Sequence, residues 1–212
     1  MSTQVFLASR NAKKIAEMQR ILAEHVPDIE VLGLDDVTPY DEPAETEPTF
    51  EGNALIKARA GVEATGLPSI ADDSGLCVDA LNGMPGVLSA RWAGTAKDDT
   101  ANNLLLLDQL ADVPDERRTA HFTCAVAFGY PVGAAGIAEH VVHGEMPGRI
   151  IRELRGSGGF GYDVLFVADD TLAAGHELTS AELPPDEKDA ISHRGKALRA
   201  LAPVVADVLT GL

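Results

Sequence analysis

The stretch Ser69-Ile70-Ala71-Asp72-Asp73-Ser74-Gly75 opens as a short apolar run and closes on two adjacent carboxylates and a Ser-Gly pair. An apolar run bounded by turn-forming residues predicts a strand over Ser69 to Asp72. Neighbouring acids at the mouth of a sheet repel each other unless a cation sits between them. No basic residue stands beside them in sequence, so the pair reads as a divalent-metal site. Asp, Ser and Gly are also turn formers, and a cap or turn is the alternative reading. A metal held by oxygens at a strand end most often serves a phosphate-bearing substrate.

Working outward, Val5-Phe6-Leu7 reads as a short buried strand. Asn11 can cap a helix whose apolar positions Ile15, Met18, Ile21, Leu22 and Val26 keep helical spacing. Val31 to Leu34 is a second strand, and Asp35 to Pro48, with three prolines and six acids, is a loop. Thr49 to Thr65 reads as a helix stopped by Gly66. Asn82 to Gly86 is a turn cluster, and Asp99 to Ala111 a helix around Leu104, Leu105 and Leu107. Alternation from Ala120 through Phe122, Cys124, Val126 and Phe128 predicts a longer strand buried on one face. Ile137 to His143 is its expected antiparallel neighbour across a Gly133–Gly136 turn, and Val164 to Val167 is another strand. The closing helix after Ser192 carries Leu198, Leu201, Val205 and Val208, and Pro203 is expected to kink or restart it. Alternating strands and helices with one long antiparallel element predict a mixed α/β protein, with ligands beyond the strand C-termini.

A chain of 212 residues fits one domain over 1–212, and neither an internal repeat nor a low-complexity segment is present. The formal charge of −16 repels nucleic-acid polymers, which excludes them as partners. No apolar stretch reaches bilayer length and Val5–Ala8 is too short for a signal-peptide core, so a membrane is not expected and a cytoplasmic address is. Cys77 and Cys124, both in apolar surroundings, read as buried free thiols. The cations gather beside loops: Arg10, Lys13 and Lys14; Lys57 and Arg59; Arg149, Arg152 and Arg155; Lys188, His193, Arg194, Lys196 and Arg199. In an acidic chain this suggests a local cup for a small anion.

Three more segments carry chemistry. Ala8-Ser9-Arg10-Asn11-Ala12-Lys13-Lys14 joins strand to helix, where free N–H groups attract an anion and two first-turn lysines oppose the helix dipole unless an anion compensates. An ordinary capped helix is the competing reading. Gly156 to Gly161 holds four glycines in six positions. That density lets backbone N–H groups approach a ligand, with Phe160 or Tyr162 available to stack on a base. Ser192 is an N-cap, and His193 with Arg194 offers donors suited to a carbonyl-bearing ring or a phosphate.

Taken together these segments resemble the inosine/xanthosine triphosphate pyrophosphatase family. The matching pieces run in the family's order through nearly the whole chain: Leu7 to Lys14, Thr49 to Arg59, Ala71 to Leu76, Gly83 to Arg91, Gly158 to Asp163, and Glu187-Lys188 with Ser192 to Gly195. The resemblance implies an elongated mixed sheet with flanking helices and two lobes around a central active-site cleft. It implies a cytoplasmic homodimer that hydrolyses ITP, dITP or XTP to the monophosphate and pyrophosphate with Mg²⁺. Carried over by position, Asp73 would be the proton acceptor and a metal ligand, with Glu45 as the second ligand. Ser9, Arg10, Asn11, Ala12, Lys13 and Lys14 would hold the triphosphate, and Ser74 would lie against the substrate. Phe160, Gly161, Tyr162, Asp163, Lys188, His193 and Arg194 would frame base and sugar. Three places depart from the family pattern: Glu45-Thr46-Glu47-Pro48 where Glu-Thr-Gly is frequent, Ser9-Arg10 in place of Thr-Gly, and Val164 where proline is common.

Overall fold

The computed structural model describes residues 3–211, apart from the side chain of Lys13. Strands β1 (Thr3–Leu7), β2 (Ile29–Leu32), β3 (Ser69–Val78), β4 (Met84–Pro85), β5 (Thr119–Pro131), β6 (Ile137–Ile150) and β7 (Phe166–Ala168) form one seven-stranded sheet. Its order is β2-β1-β3-β5-β6-β7, with β4 on β3. The β1–β2 and β1–β3 pairs are parallel, while β3–β4 and β6–β7 are antiparallel. A mixed α/β sheet with flanking helices is therefore what the chain builds. The helices are α1 (Ala12–Ala23), α2 (Phe50–Thr65), α3 (Asp99–Gln109), α4 (Asp169–Ala173), α5 (Pro185–Ile191) and α6 (His193–Gly211).

The chain divides into two compact units. The first comprises Met1–Asp73, Ala125–His143 and Ala197–Leu212, and the second Ser74–Cys124 and Gly144–Lys196. In the first, β1 is apolar and buried from Val5 to Leu7, and α1 turns Met18, Ile21 and Leu22 inward. Helix α2 starts where Thr49 Oγ1 accepts the N–H of Gly52 at 3.1 Å, and stops at Gly66, whose φ of 71° is the left-handed conformation a side chain resists. Its Ala54 and Ala58 pack on Ala71, Ala125 and Ala127, small residues that bring helix and sheet close together. In the second unit, Leu76, Val78, Leu106, Leu110, Phe122, Met146, Ile150 and Phe166 share one apolar cluster. Arg118 is fully buried beside it, and three backbone carbonyls, of Leu110, Ile150 and Ile151, accept its guanidinium at 2.6–2.9 Å. That satisfies the charge's donors where water cannot.

Several sequence expectations are corrected. The strand expected to end at Asp72 runs on to Val78, so Asp72, Asp73, Ser74 and Gly75 lie inside β3 and form no turn. On α3 the inward residues are Asn102, Asn103, Leu106 and Leu110, whereas Leu104 is half exposed; the leucine run was one helical position off the true buried stripe. β5 alternates only at its start and is buried on both faces from Cys124 to Gly129, because both surfaces of that strand are covered. β6 continues past His143 to Ile150, adjacent to β5, and the short 132–136 connection allows only an antiparallel pair. Gly161–Val164 is a 3-10 turn, which leaves β7 to begin at Phe166. α6 passes through Pro203 as one helix, with Pro203 on its exposed side. Of the two free thiols Cys124 is buried and Cys77 half-buried.

Candidate active site

Successive side chains of a strand leave opposite faces, so Asp72 and Asp73 take different hydrogen-bond partners. Asp73 follows Ala71 toward α2, and Asp72 turns to α1. The Lys14 ammonium contacts both Asp72 oxygens, at 3.0 and 2.9 Å, and this carboxylate is almost fully buried. Helix α2 answers Asp73 with two residues one turn apart. Lys57 Nζ lies 3.2 Å from Asp73 Oδ1, and Asn53 Nδ2 donates to Oδ2 at 3.3 Å. The same Lys57 ammonium donates to Glu45 Oε1 at 2.9 Å. Asn53 Oδ1 accepts the N–H of Glu47, which ties the acidic loop to the helix. The supposed repulsion of two sequence neighbours is thus replaced by two separate carboxylate–ammonium pairs, the second bridging to Glu45.

Burial pushes the Asp73 carboxyl above the ordinary aspartate range. Lys57 pulls it back, Glu45 pushes it up, and the hydrogen bonds from Lys57 and Asn53 do not restore it. Burial acts to lower Lys57, yet the charges of Asp73 and Glu45 outweigh it and the ammonium ends above its usual value. The lysine rises because it has two carboxylate partners, and Asp73 rises because burial and the charge of Glu45 exceed what the shared ammonium returns. Across this unit three carboxylates, Glu45, Asp72 and Asp73, face two ammonium groups, Lys14 and Lys57. The surplus is one negative charge, which a divalent cation would reverse.

Glu45 and Asp73 converge on a common point with hard carboxylate oxygens, the donor set suited to a small divalent ion that keeps water and phosphate oxygens as its other ligands. Among the described residues no group of three or more His, Cys, Asp or Glu could cage a metal by itself. Glu45 and Asp73 thus present two carboxylates to the Lys57 ammonium, a donor pair that would supply part of a divalent ion's ligands.

The strand-to-helix segment forms as expected. Asn11 caps α1 through Oδ1 on the N–H of Lys14 at 3.4 Å, Ser9 Oγ accepts the N–H of Asn11 at 3.1 Å, and Ala12 is the first helical residue. Arg10 is exposed and pairs with Glu42, with Asp35 at 3.6 Å. The side chain of Lys13 lies outside the described residues.

In the second unit Phe160 to Asp163 form the 3-10 turn and its lead-in. Asp163 is buried, and its Oδ2 accepts the N–H of Phe160 at 2.8 Å and the Lys188 ammonium at 2.5 Å. That ammonium also lies 5.1 Å from the centroid of the exposed Phe160 ring, within cation–π range. Tyr162 is buried and its hydroxyl donates to Ser89 O at 2.9 Å; burial, and then the charge of Asp99, raise its pKa, so it remains a neutral donor. His193 opens α6 and stacks on Phe122 at 5.0 Å and 11°, and Ser192 Oγ caps the helix on the N–H of Gly195. Arg194 Nη2 lies 3.5 Å from Ser74 Oγ.

The glycine run has a packing cause that sequence reading missed. A Cβ on Gly156 would meet the Ala181 carbonyl carbon at 2.7 Å, one on Gly158 the Ala181 oxygen at 2.8 Å, and one on Gly159 the Asp163 carboxylate at 2.1 Å. Gly158 N donates to Ala181 O, so Gly156, Gly158 and Gly159 serve the loop's approach to its own chain, whereas a Cβ on Gly161 would meet open space. The basic cup also changes character: Arg59, Arg149, Arg152, Arg155 and Lys196 all pair with acids, namely Glu139, Glu177, Asp115, Glu182 and Asp170. The sequence reading placed Lys57 only among the cations of an anion cup, and gave Asn53 and Lys57 no role at the Asp73 carboxylate. Their signal was a buried-type polar pair at i, i+4 on the alanine face of a helix, facing a strand acid.

A model of the Ham1 family matches residues 5–204. The chain belongs to the Ham1 family. It is 61% identical over 204 residues to the dITP/XTP pyrophosphatase of Nocardia farcinica, covering 96% of this chain and 95% of that protein. Over 202 residues it is 59% identical to the dITP/XTP pyrophosphatase of Mycolicibacterium paratuberculosis, covering 95% of each. The fold is similar to the crystal structure of a nucleoside-triphosphatase / dITP/XTP pyrophosphatase from Mycobacterium abscessus, at a TM-score of 0.77 and 54% identity over 94% of this chain and 99% of that one. It is also similar to the Ham1 protein of Staphylococcus aureus, at a TM-score of 0.84 and 36% identity over 95% and 97% of the two chains. Among the described residues no helix is long and apolar enough to cross a membrane.

Proposed function

We propose that residues 1–212 act as a single nucleoside triphosphate pyrophosphatase domain. It hydrolyses non-standard purine nucleotides (ITP, dITP, XTP) to the monophosphate and pyrophosphate, and so keeps deaminated purines out of DNA and RNA. The observation that carries the reading is the Glu45–Lys57–Asp73 bridge, which joins a carboxylate of the acidic loop to a strand carboxylate through a helix lysine, in a chain of this family. A magnesium ion held by Asp73 and Glu45 would neutralise phosphate oxygens and stabilise the charge that develops on them. Asp73, oriented by Lys57 and Asn53, accepts the proton of the attacking water. The water oxygen bonds to phosphorus, the α–β anhydride bond breaks, and pyrophosphate leaves. Lys57 keeps Asp73 oriented, while Ser9 to Lys14 supply backbone N–H groups and the Lys14 charge to the triphosphate.

The second unit takes the base: Phe160 offers a ring face, and Lys188, His193 and Arg194 offer donors to a 6-keto group. An adenine amino group would leave those donors buried and unpaired, at a cost of about 1–3 kcal/mol each. We further infer a cytoplasmic homodimer, in keeping with the two free thiols and the family resemblance. The test is a panel of nucleoside triphosphates assayed for pyrophosphate with and without magnesium. Metal-dependent pyrophosphate from dITP and XTP, and little from dATP, is the expected result. Orthophosphate as the product would make the protein a general phosphatase, and tight binding without turnover a regulatory module.

A further inference from the structure

Phe160 is 64% exposed, more than any other large apolar side chain among the described residues, yet the backbone that carries it is held on several sides. Asp163 takes the N–H of Phe160. The next residue, Gly161, is gripped by α3 at both of its polar groups. Its N–H donates to Asp99 Oδ2 at 2.7 Å, and its carbonyl accepts Asn103 Nδ2 at 2.9 Å. Asp99 and Asn103 stand one helical turn apart, and Asn103 Nδ2 also donates to the Asp99 carbonyl at 2.7 Å. Together they offer one acceptor and one donor to a single residue, as a neighbouring strand would. Gly161 needs such support, since its φ of 60° lies in the left-handed region.

Asn103 is 2% exposed, and its Oδ1 has no hydrogen-bond partner among the described residues. A buried acceptor left unpaired is destabilising, and such groups are retained where the rest of the side chain has work that outweighs the penalty. Here that work is the grip on Gly161. We propose that Asp99 and Asn103 are positioning residues for base selection: the α3 pair fixes the Phe160–Asp163 segment so that the Phe160 ring and the Asp163–Lys188 pair meet a purine already in place. A platform fixed before binding spares the ordering cost that a mobile loop would incur on each encounter. This inference rests on the reading that residues 160–163 take the base.

The test compares dITP and dATP as substrates for the wild type, Asp99→Ala, Asn103→Leu and Asp99→Asn, with amide hydrogen exchange at residues 160–162 measured on the same proteins. Losing one anchoring hydrogen bond should raise KM for dITP about tenfold, with a much smaller change in kcat, and narrow the dITP/dATP ratio of kcat/KM by a similar factor. Exchange at 160–162 should quicken in step. Asp99→Asn, which keeps an acceptor oxygen, should return most of the selectivity. An unchanged ratio in Asp99→Ala and Asn103→Leu, even with a lower Tm, overturns the inference alone and makes the pair merely structural. A wild type that does not prefer dITP overturns the base reading, and the inference with it. Asp99 is exposed at the first turn of α3, so Asp99→Ala carries the test if Asn103→Leu does not fold.

Discussion

Asp73 in the first unit and Asp163 in the second are both aspartates withdrawn from water and faced by a lysine, at 3.2 and 2.5 Å. Their remaining partners set them apart. Asp163 has a backbone N–H and a lysine on the same oxygen, and its neighbours are a turn and an aromatic ring. Asp73 shares its lysine with Glu45, meets Asn53 only at 3.3 Å, and has its pKa raised by burial. A carboxylate with its own ammonium and a backbone donor is held as a strut. One that shares its cation and has no backbone donor among the described residues is less fully satisfied, which is why the base and metal roles are proposed for Asp73. The lesson is that an aspartate–lysine pair states a role only once every other contact of both groups is counted.

The comparison is sharpened most by replacing each acid with its amide. Asp73→Asn should keep its fold and nucleotide affinity while kcat drops about 10²–10⁴-fold, the usual scale of positioned base catalysis. Asp163→Asn should show the opposite split, with KM for dITP raised and kcat little changed. Steady-state kinetics on both variants decides, and near-wild-type turnover by Asp73→Asn breaks the distinction.

Lys57 gives the next largest effect. Lys57→Met leaves Glu45 and Asp73 facing each other without their shared cation, in surroundings where only 19% of the lysine side chain was exposed. Loss of one partner from a mostly buried pair should cost about 3 kcal/mol of stability. If the two carboxylates are a metal pair, magnesium should raise the Tm of Lys57→Met more than that of the wild type. Equal shifts in a thermal melt would remove Glu45 and Asp73 as joint ligands.

The smallest effect belongs to the backing of the glycine loop. Glu182 is held below the usual glutamate range, mainly by the N–H of Thr179, with Arg155 also nearby. A carboxyl whose folded pKa is depressed contributes stability above its unfolded value and loses it as pH falls through the folded one. Glu182→Gln should therefore lower Tm slightly at pH 7 and not at all once the pH is well below the ordinary glutamate range near 4.5. A difference in Tm that persists into strong acid would show that packing, not charge, is what Glu182 provides.

Local signals in the chain were sound wherever chemistry acts on near neighbours. Thr49 and Gly66 mark both ends of α2, Asn11 starts α1 and Ser192 caps α6, because a cap is a bond between residues two to four positions apart. The ordered motifs also placed the chain in its family. Spatial partnership was illegible. Lys14 and Asp72 lie 58 positions apart and Lys188 and Asp163 lie 25 apart, so no window of sequence contains both. The approach of Gly156 and Gly158 to Ala181 is likewise a partnership across the chain that no local window contains.

What the sequence alone determined was the longer helices with their caps, the mixed α/β class and the family to which the chain belongs, since these follow from periodicity, turn chemistry and motif order. Only the tertiary structure decided that adjacent Asp72 and Asp73 serve different lysines. The pleat sends neighbouring side chains to opposite faces, and the helix that packs on each face selects the partner.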